Sequence, residues 1–184
     1  KVAREEFAKV RKSGMIAINL KDGDELKWVQ TSGGDDQVML STENGQAIRF
    51  SEKDVRPMGR NASGVTGMRI KKDDHIISMD VIRKEVDVKA LEVLVVTENG
   101  LGKKTEASYY KVQNRGGSGI KTLKVTPKTG KIVAMYILNN AEEHDLVIIS
   151  KNGQTIRTPL NNVSTLGRAT QGVRVMRLEE GDKV

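Results

Sequence analysis

The sequence predicts an all-β protein, a partial propeller-like array of four-stranded repeats of about 54 residues each. Three observations carry this. First, "QVMLSTENGQAIRF", "EVLVVTENGLGKKT" and "DLVIISKNGQTIRT" share an apolar run, an Asn-Gly pair and a basic residue four positions after the glycine. Second, "RNASGVTGMRI", "RGGSGIKTLKV" and "RATQGVRVMRL" match one another further on. Third, the two sets keep one spacing. Gly45, Gly100 and Gly153 lie 55 and 53 residues apart, and Arg60, Arg115 and Arg168 each follow their glycine by 15.

Each element follows from local chemistry. An apolar run ending in Asn-Gly is a strong hairpin signal, and a type I′ turn needs positive φ at both central residues. Val38–Leu40 is therefore expected to pair with 47–50, Val93–Val96 with Lys103–Thr105, and Val147–Ile149 with 155–158. The polar links "SEKDVRPMG", "EASYYKVQN" and "PLNNVSTLG" leave room for one helical turn. The Arg-x-x-x-Gly motif then opens a third strand such as 65–70. Val65 and Met68 have opposite parity, which predicts a bulge near Gly67 and leaves the facing of Arg69 open. A fourth strand, "HIISMDVI" or "KIVAMYIL", closes the unit. The resulting division is 1–34 as the second half of a preceding blade, 35–89 and 90–143 as blades, and 144–184 as a truncated blade. Such flanks imply a piece of a longer array, or disordered ends, because a repeat cannot bury its faces alone.

Composition narrows the function classes. There is no cysteine, so disulfides and thiolate metal sites are excluded. Only Phe7, Trp28, Phe50, Tyr109, Tyr110 and Tyr136 are aromatic, so aliphatic residues and methionine must fill the core. No apolar run nears the roughly 18 residues of a membrane span, and the charged start "KVAREEFAKVRKSG" is no signal peptide. The net charge is +7. Residues 90–131 hold eight basic and three acidic residues, 8 − 3 = +5, whereas 35–70 and 132–184 each balance. A basic excess placed in this way suits a polyanionic partner.

Candidate chemistry reduces to those cations. "NRGGSGIKTLKV" and "ENGLGKKT" are not Walker loops, since Ile120 and Lys104 intrude on the Gly-Lys-Thr order and no helix follows. His75 and His144 have no matched partners, and no acid, base and nucleophile set recurs. Three positions are basic in every copy: Arg49, Lys104 and Arg157; Arg60, Arg115 and Arg168; Arg69, Lys124 and Arg177. In "AIRF" and "TIRT" the arginine points away from the isoleucine face. One such arginine is more often solvated surface or a bridge between blades. Nine in register read better as a rim of positive charge matched to periodic phosphates. With Lys103 and Lys121 added, these eleven residues are the expected DNA-binding set. The alternative is an interaction propeller whose basic residues bridge blades or bind an acidic protein.

"STENGQAIRFSEKDVRPMGRNASGVTGMRI", "TENGLGKKTEASYYKVQNRGGSGIKTLKV" and "AREEFAKVRKSGMIAINLKDGDEL" resemble the C-terminal domain of the DNA gyrase A subunit. The run Asp54–Arg60 with Gly64-Val65 is specific, and it favours gyrase over the paralogous topoisomerase IV subunit. The resemblance implies a β-pinwheel, whose blades exchange strands and whose basic outer rim wraps duplex DNA, so that strand passage introduces negative supercoils. It also implies a cytoplasmic protein partnered by the rest of the A subunit, as a homodimer, and by the B subunit. ATP and magnesium act elsewhere in that holoenzyme, with no cofactor and no catalytic residue here. The family's Gln-Arg-Arg-Gly-Gly-Lys-Gly box is absent, and "NRGGSG" at Asn114–Gly119 resembles a degenerate copy of it.

Overall fold

The computed structural model describes residues 1–139 and 143–184. The end of the repeat expected over 90–143 thus falls partly outside the described residues. Ten strands form three antiparallel sheets: β1 (Gln37–Thr42), β2 (Gln46–Ser51), β3 (Ile76–Ile82), β4 (Leu91–Thr97), β5 (Leu101–Glu106), β6 (Ile120–Lys121), β7 (Ile132–Asn139), β8 (Asp145–Ile149), β9 (Thr155–Pro159) and β10 (Val173–Arg174). The sheet orders are β3-β1-β2-β6, β10-β5-β4-β7 and β8-β9. The three hairpins pair the expected segments, with Val38 opposite Phe50, Val93 opposite Thr105 and Val147 opposite Arg157, one residue off the register that a two-residue Asn-Gly turn would set. Short 3-10 turns follow at Glu52–Asp54, Ala107–Tyr109 and Leu160–Asn162.

The hairpin turns are not type I′. Gly45, Gly100 and Gly153 have φ of 88°, 74° and 87°, but the preceding asparagines do not take positive φ. The glycine N–H groups bond to Thr42, Thr97 and Ser150 carbonyls at 3.2, 3.0 and 2.9 Å. That is a turn closed by a left-handed glycine, the three-residue loop with a G1 bulge. The asparagines are used elsewhere. Asn44 N–H donates to Asp74 Oδ1 at 3.1 Å, and Asn99 Nδ2 donates to the Pro127 and Lys128 carbonyls at 3.1 and 3.2 Å. They tie each hairpin to the turn before the fourth strand.

The third strand does not belong to its own repeat. β6 pairs with β2 of the preceding repeat, Ala47 opposite Ile120, and β10 pairs with β5, Gly102 opposite Val173. Residues 65–70, expected as a strand with a bulge near Gly67, carry no ladder. Neither do residues 14–29, expected as strands three and four of an earlier unit. The hairpins that would accept them, one repeat earlier, are not among the described residues. Residues 14–29 leave Ile16, Leu20, Leu26 and Val29 exposed.

Both faces of a sheet are buried, one against each neighbour. Along β4, Val93 and Val95 enter the core shared with Met39, Tyr110, Leu123 and Met135, while Leu94 and Val96 enter the one shared with Ile148, Leu160 and Met176. This is why the run "VLVV" at 93–96 is continuously apolar rather than alternating. The fourth strands β3 and β7 meet side by side. Ser78 Oγ donates to the Met135 carbonyl at 2.8 Å, and Ile137 N–H donates to Asp80 Oδ2 at 2.9 Å. Burial pushes the Asp80 carboxyl up. Since fourth strands converge, the exchanged third strands mark the outer edge of each sheet.

Gly100 has no room for a side chain, since a Cβ there would collide with the Met176 carbonyl oxygen. At Gly153, also at positive φ, a Cβ meets nothing within 4 Å. Gly153→Ala should therefore cost only the left-handed backbone term, about 1–2 kcal/mol. Gly100→Ala should cost clearly more, because backbone must move. Denaturant unfolding of the two variants measures the difference.

Candidate nucleic-acid interface

The outer edge is built from the residues that follow Gly64, Gly119 and Gly172, at φ of 87°, 72° and 80°. The last two of these bring backbone against backbone, while a Cβ at Gly64 would meet nothing within 4 Å. A Cβ at Gly119 would sit 2.5 Å from the Ala47 carbonyl oxygen, and one at Gly172 would sit 2.7 Å from that of Gly102. The residue four positions on is a buried anchor in each copy: Met68, Leu123 and Met176. The residues two and five positions after the glycine therefore face water. They are Thr66 and Arg69, Lys121 and Lys124, and Arg174 and Arg177, all exposed. Among the described residues, none of the five cations has a carboxylate within ion-pair distance. The result is one or two free positive charges per repeat, at the perimeter.

Four of the eleven expected DNA-contacting residues, Arg69, Lys121, Lys124 and Arg177, lie on this edge. Arg174 occupies the position of Lys121 and Thr66 but was not in the expected set. Arg49, Lys103 and Lys104 are corrections. They are 7%, 0% and 7% exposed, so no duplex can reach them. The period-2 argument assumed that one face of the strand meets solvent. Here parity selects which neighbouring sheet a side chain meets. Arg49 Nη1 donates to the Ala107 carbonyl of the next repeat at 3.1 Å, and burial lowers its pKa. Lys104 Nζ lies 2.8 Å from Glu92 Oε2, whose other oxygen accepts from Thr165 Oγ1 at 2.7 Å. Arg157 holds the same register in β9, where no described repeat covers it. It is exposed, and its Nε donates to Asp145 Oδ2 at 2.7 Å.

Lys103 is a pin between repeats. Its Nζ donates to the Gly167 and Arg168 carbonyls and to Thr170 Oγ1 at 2.6, 2.7 and 3.1 Å. Desolvation, then the nearby Arg168 charge, lower its pKa to about 8. Arg60, Arg115 and Arg168 are half-buried. Each donates through Nη1 to a backbone carbonyl of the preceding repeat, those of Ile16, Thr66 and Lys121. A further ionic link also recurs. Lys131 Nζ donates to Glu43 Oε1 at 2.6 Å, and Lys183 Nζ donates to Glu98 Oε2 at 2.7 Å. That hydrogen bond, against an opposing desolvation, holds the Glu98 carboxyl below its ordinary value.

The family model "DNA gyrase C-terminal domain, beta-propeller" matches residues 1–32, 36–83, 91–139 and 144–184. The chain belongs to that family. It is 42% identical over 178 residues to the DNA gyrase A subunit of Staphylococcus epidermidis, and 40% identical over 177 residues to that of Staphylococcus aureus. These alignments cover 97% and 96% of the chain but 19% of each relative, so the chain spans about a fifth of their length. A solved gyrase A C-terminal domain superposes with a TM-score of 0.80 at 29% identity, covering 94% of this chain and 56% of that one. A topoisomerase IV C-terminal domain shares the fold, with a TM-score of 0.86 at 24% identity, covering 97% and 55%. The gyrase C-terminal domain family thus has here two complete four-stranded sheets, each completed by the next repeat.

Two outcomes test the pins of this gyrase-family domain. Lys103→Met removes three hydrogen bonds from a buried ammonium to the neighbouring loop and should destabilise the chain by about 1–3 kcal/mol, read by thermal or urea unfolding. The Glu98 carboxyl, held low when folded, contributes stability above its unfolded value of 4.5, and that contribution is lost as pH falls through the folded value. Glu98→Gln should therefore flatten the acid limb of a stability-versus-pH curve.

Proposed function

We propose that this chain is the DNA-wrapping part of a bacterial DNA gyrase A subunit. The carrying observation is the row of exposed cations, Arg69, Lys121, Lys124, Arg174 and Arg177, unpaired among the described residues, on the outer edge of successive repeats. Guanidinium and ammonium groups at regular steps neutralise phosphates without reading bases, which gives affinity with little sequence preference. Bending a duplex of 20–30 bp costs on the order of 1–6 kcal/mol, which contacts repeated from blade to blade offset.

In this reading residues 1–34 are the second half of a preceding blade, 35–89 and 90–143 are blades, and 144–184 begins a further one. The chain is non-catalytic. It bends DNA for a cleavage gate carried by the rest of the A subunit, as a homodimer, with ATP and magnesium used at the B subunit, in the bacterial cytoplasm. Wrapping of fixed hand is what lets strand passage introduce negative supercoils.

A salt titration of duplex binding tests this. The affinity should fall steeply with salt. Lys124→Met should weaken binding to unrelated duplexes alike and lower the slope of log K against log salt by about 0.9. Arg49→Met, removing a buried guanidinium, should leave that slope unchanged. A binding constant that barely responds to salt sinks the reading.

A further inference from the structure

We propose that Arg60, Arg115 and Arg168 are positioning residues that fix the angle between successive blades, and with it the line along which the rim cations meet DNA. The second half of this statement rests on the wrapping reading above.

The geometry repeats three times. The carbonyls that accept from these arginines belong to Ile16, Thr66 and Lys121, at 2.5, 2.5 and 2.9 Å. They lie two residues after Gly14, Gly64 and Gly119 respectively. The loop that carries each arginine takes a second hold. The Ala62, Gly117 and Thr170 carbonyls accept from the N–H groups of Asn19, Arg69 and Lys124, at 3.3, 2.9 and 3.0 Å. Those donors lie five residues after the same three glycines. Each loop therefore grips the preceding outer strand at two points three residues apart, and these are the positions of the rim side chains. Segment 14–19 shows both holds although it forms no ladder, so the grip does not depend on strand pairing.

The guanidinium is suited to this and not to phosphate. Arg115 also donates through Nε to the Asp54 carbonyl at 2.9 Å, and the Arg168 guanidinium carbon lies 6.0 Å from the centre of the Tyr110 ring. A planar fork bonded at two points resists rotation, whereas lysine offers one pivot. The exchanged ladders are only two residues long, so by themselves they restrain the blade angle weakly. The charge of the arginine is incidental to this role, and its shape is not.

The test uses the 184-residue chain with Arg115→Lys, Arg115→Met and, for comparison, Lys124→Met. Cysteines introduced at the exposed Lys72 and Lys128, in a sequence that has none, carry spin labels on successive blades. Both Arg115 variants should shift and broaden the inter-label distance distribution without DNA, while Lys124→Met leaves it unchanged. Arg115→Lys keeps the charge, so duplex affinity should stay within about threefold, yet the end-to-end bend of bound DNA, read by energy transfer, should fall. Arg168→Lys repeats the measurement at the next junction, and circular dichroism confirms that each variant is folded. Unchanged label distances in Arg115→Lys and Arg168→Lys overturn the proposal. Shifted distances with an unchanged bend overturn the link to the DNA path. If the parent chain does not bind duplex DNA, the wrapping reading fails, and the label distances still decide whether the arginines set the blade angle.

Discussion

The structure depends on one close backbone contact, made where a hairpin turn of one repeat receives the outer strand of the next. The Gly45 carbonyl accepts from Thr122 and Leu123 N–H at 2.8 and 3.5 Å, and the Gly100 carbonyl accepts from Val175 and Met176 N–H at 2.9 and 3.0 Å. The turn glycine cannot carry a Cβ there. This contact seats Leu123 and Met176 in the cores between sheets. It also holds the intervening residues outward. Burial of the anchor and exposure of the rim cations are thus one event. An edge strand that ends a sheet must in any case discourage further pairing, and lysine or arginine on it does so. In the wrapping reading proposed above, the same side chains also meet phosphates.

Cations in this fold are sorted by what covers them rather than by their parity along the strand. Arg49, Lys104 and Arg157 occupy one position in three hairpins. The first two are buried because the next repeat lies over them, and Arg157 is exposed because no described repeat does. A buried charge needs its partners: Arg49 finds one across a boundary at Ala107, Lys103 finds them across the next at the loop 167–170, and Lys104 pairs with Glu92 of its own hairpin. The basic excess of residues 90–131 is therefore partly internal.

Much of this was legible in the sequence. The paired hairpin segments, the fourth strands and the 54-residue period follow from local patterns, because apolar runs and Gly turns encode them within a few residues. The exchange of the third strand does not, since no local signal says which repeat will receive it; the resemblance to a pinwheel supplied it. The turn type was misread because Asn44 and Asn99 suit positive φ but serve here in side-chain and backbone bonds to a distant turn. Among the candidate residues, in-register basicity identified positions that matter without separating two roles. Arg69 and Lys124 face water, while Arg60 and Arg115 face carbonyls. Only the tertiary placement of the acceptors separates them.

Gly116 and Gly117 in "NRGGSG" show how the junctions were fitted copy by copy. Gly116 stands at φ 78° and its N–H donates to the Gly67 carbonyl at 2.8 Å. A Cβ on Gly117 would meet Ile48 Cδ1 at 3.4 Å. In the next repeat the residue matching Ile48 is Lys103, and the one matching Gly117 is Thr170. There an ammonium bonds to the threonine hydroxyl and to two carbonyls of the loop. One junction thus packs a branched aliphatic chain beneath a bare backbone, and the other packs a cation beneath a polar loop. Both solve the same problem, the support of an arginine loop that grips the blade before it. The apolar solution is adaptable, because dispersion contacts tolerate small shifts. The ionic one is directional, because three short hydrogen bonds converge on a single nitrogen. Similar repeats therefore make unlike joints, an apolar contact between the first and second hairpins and three hydrogen bonds on one nitrogen between the second and third.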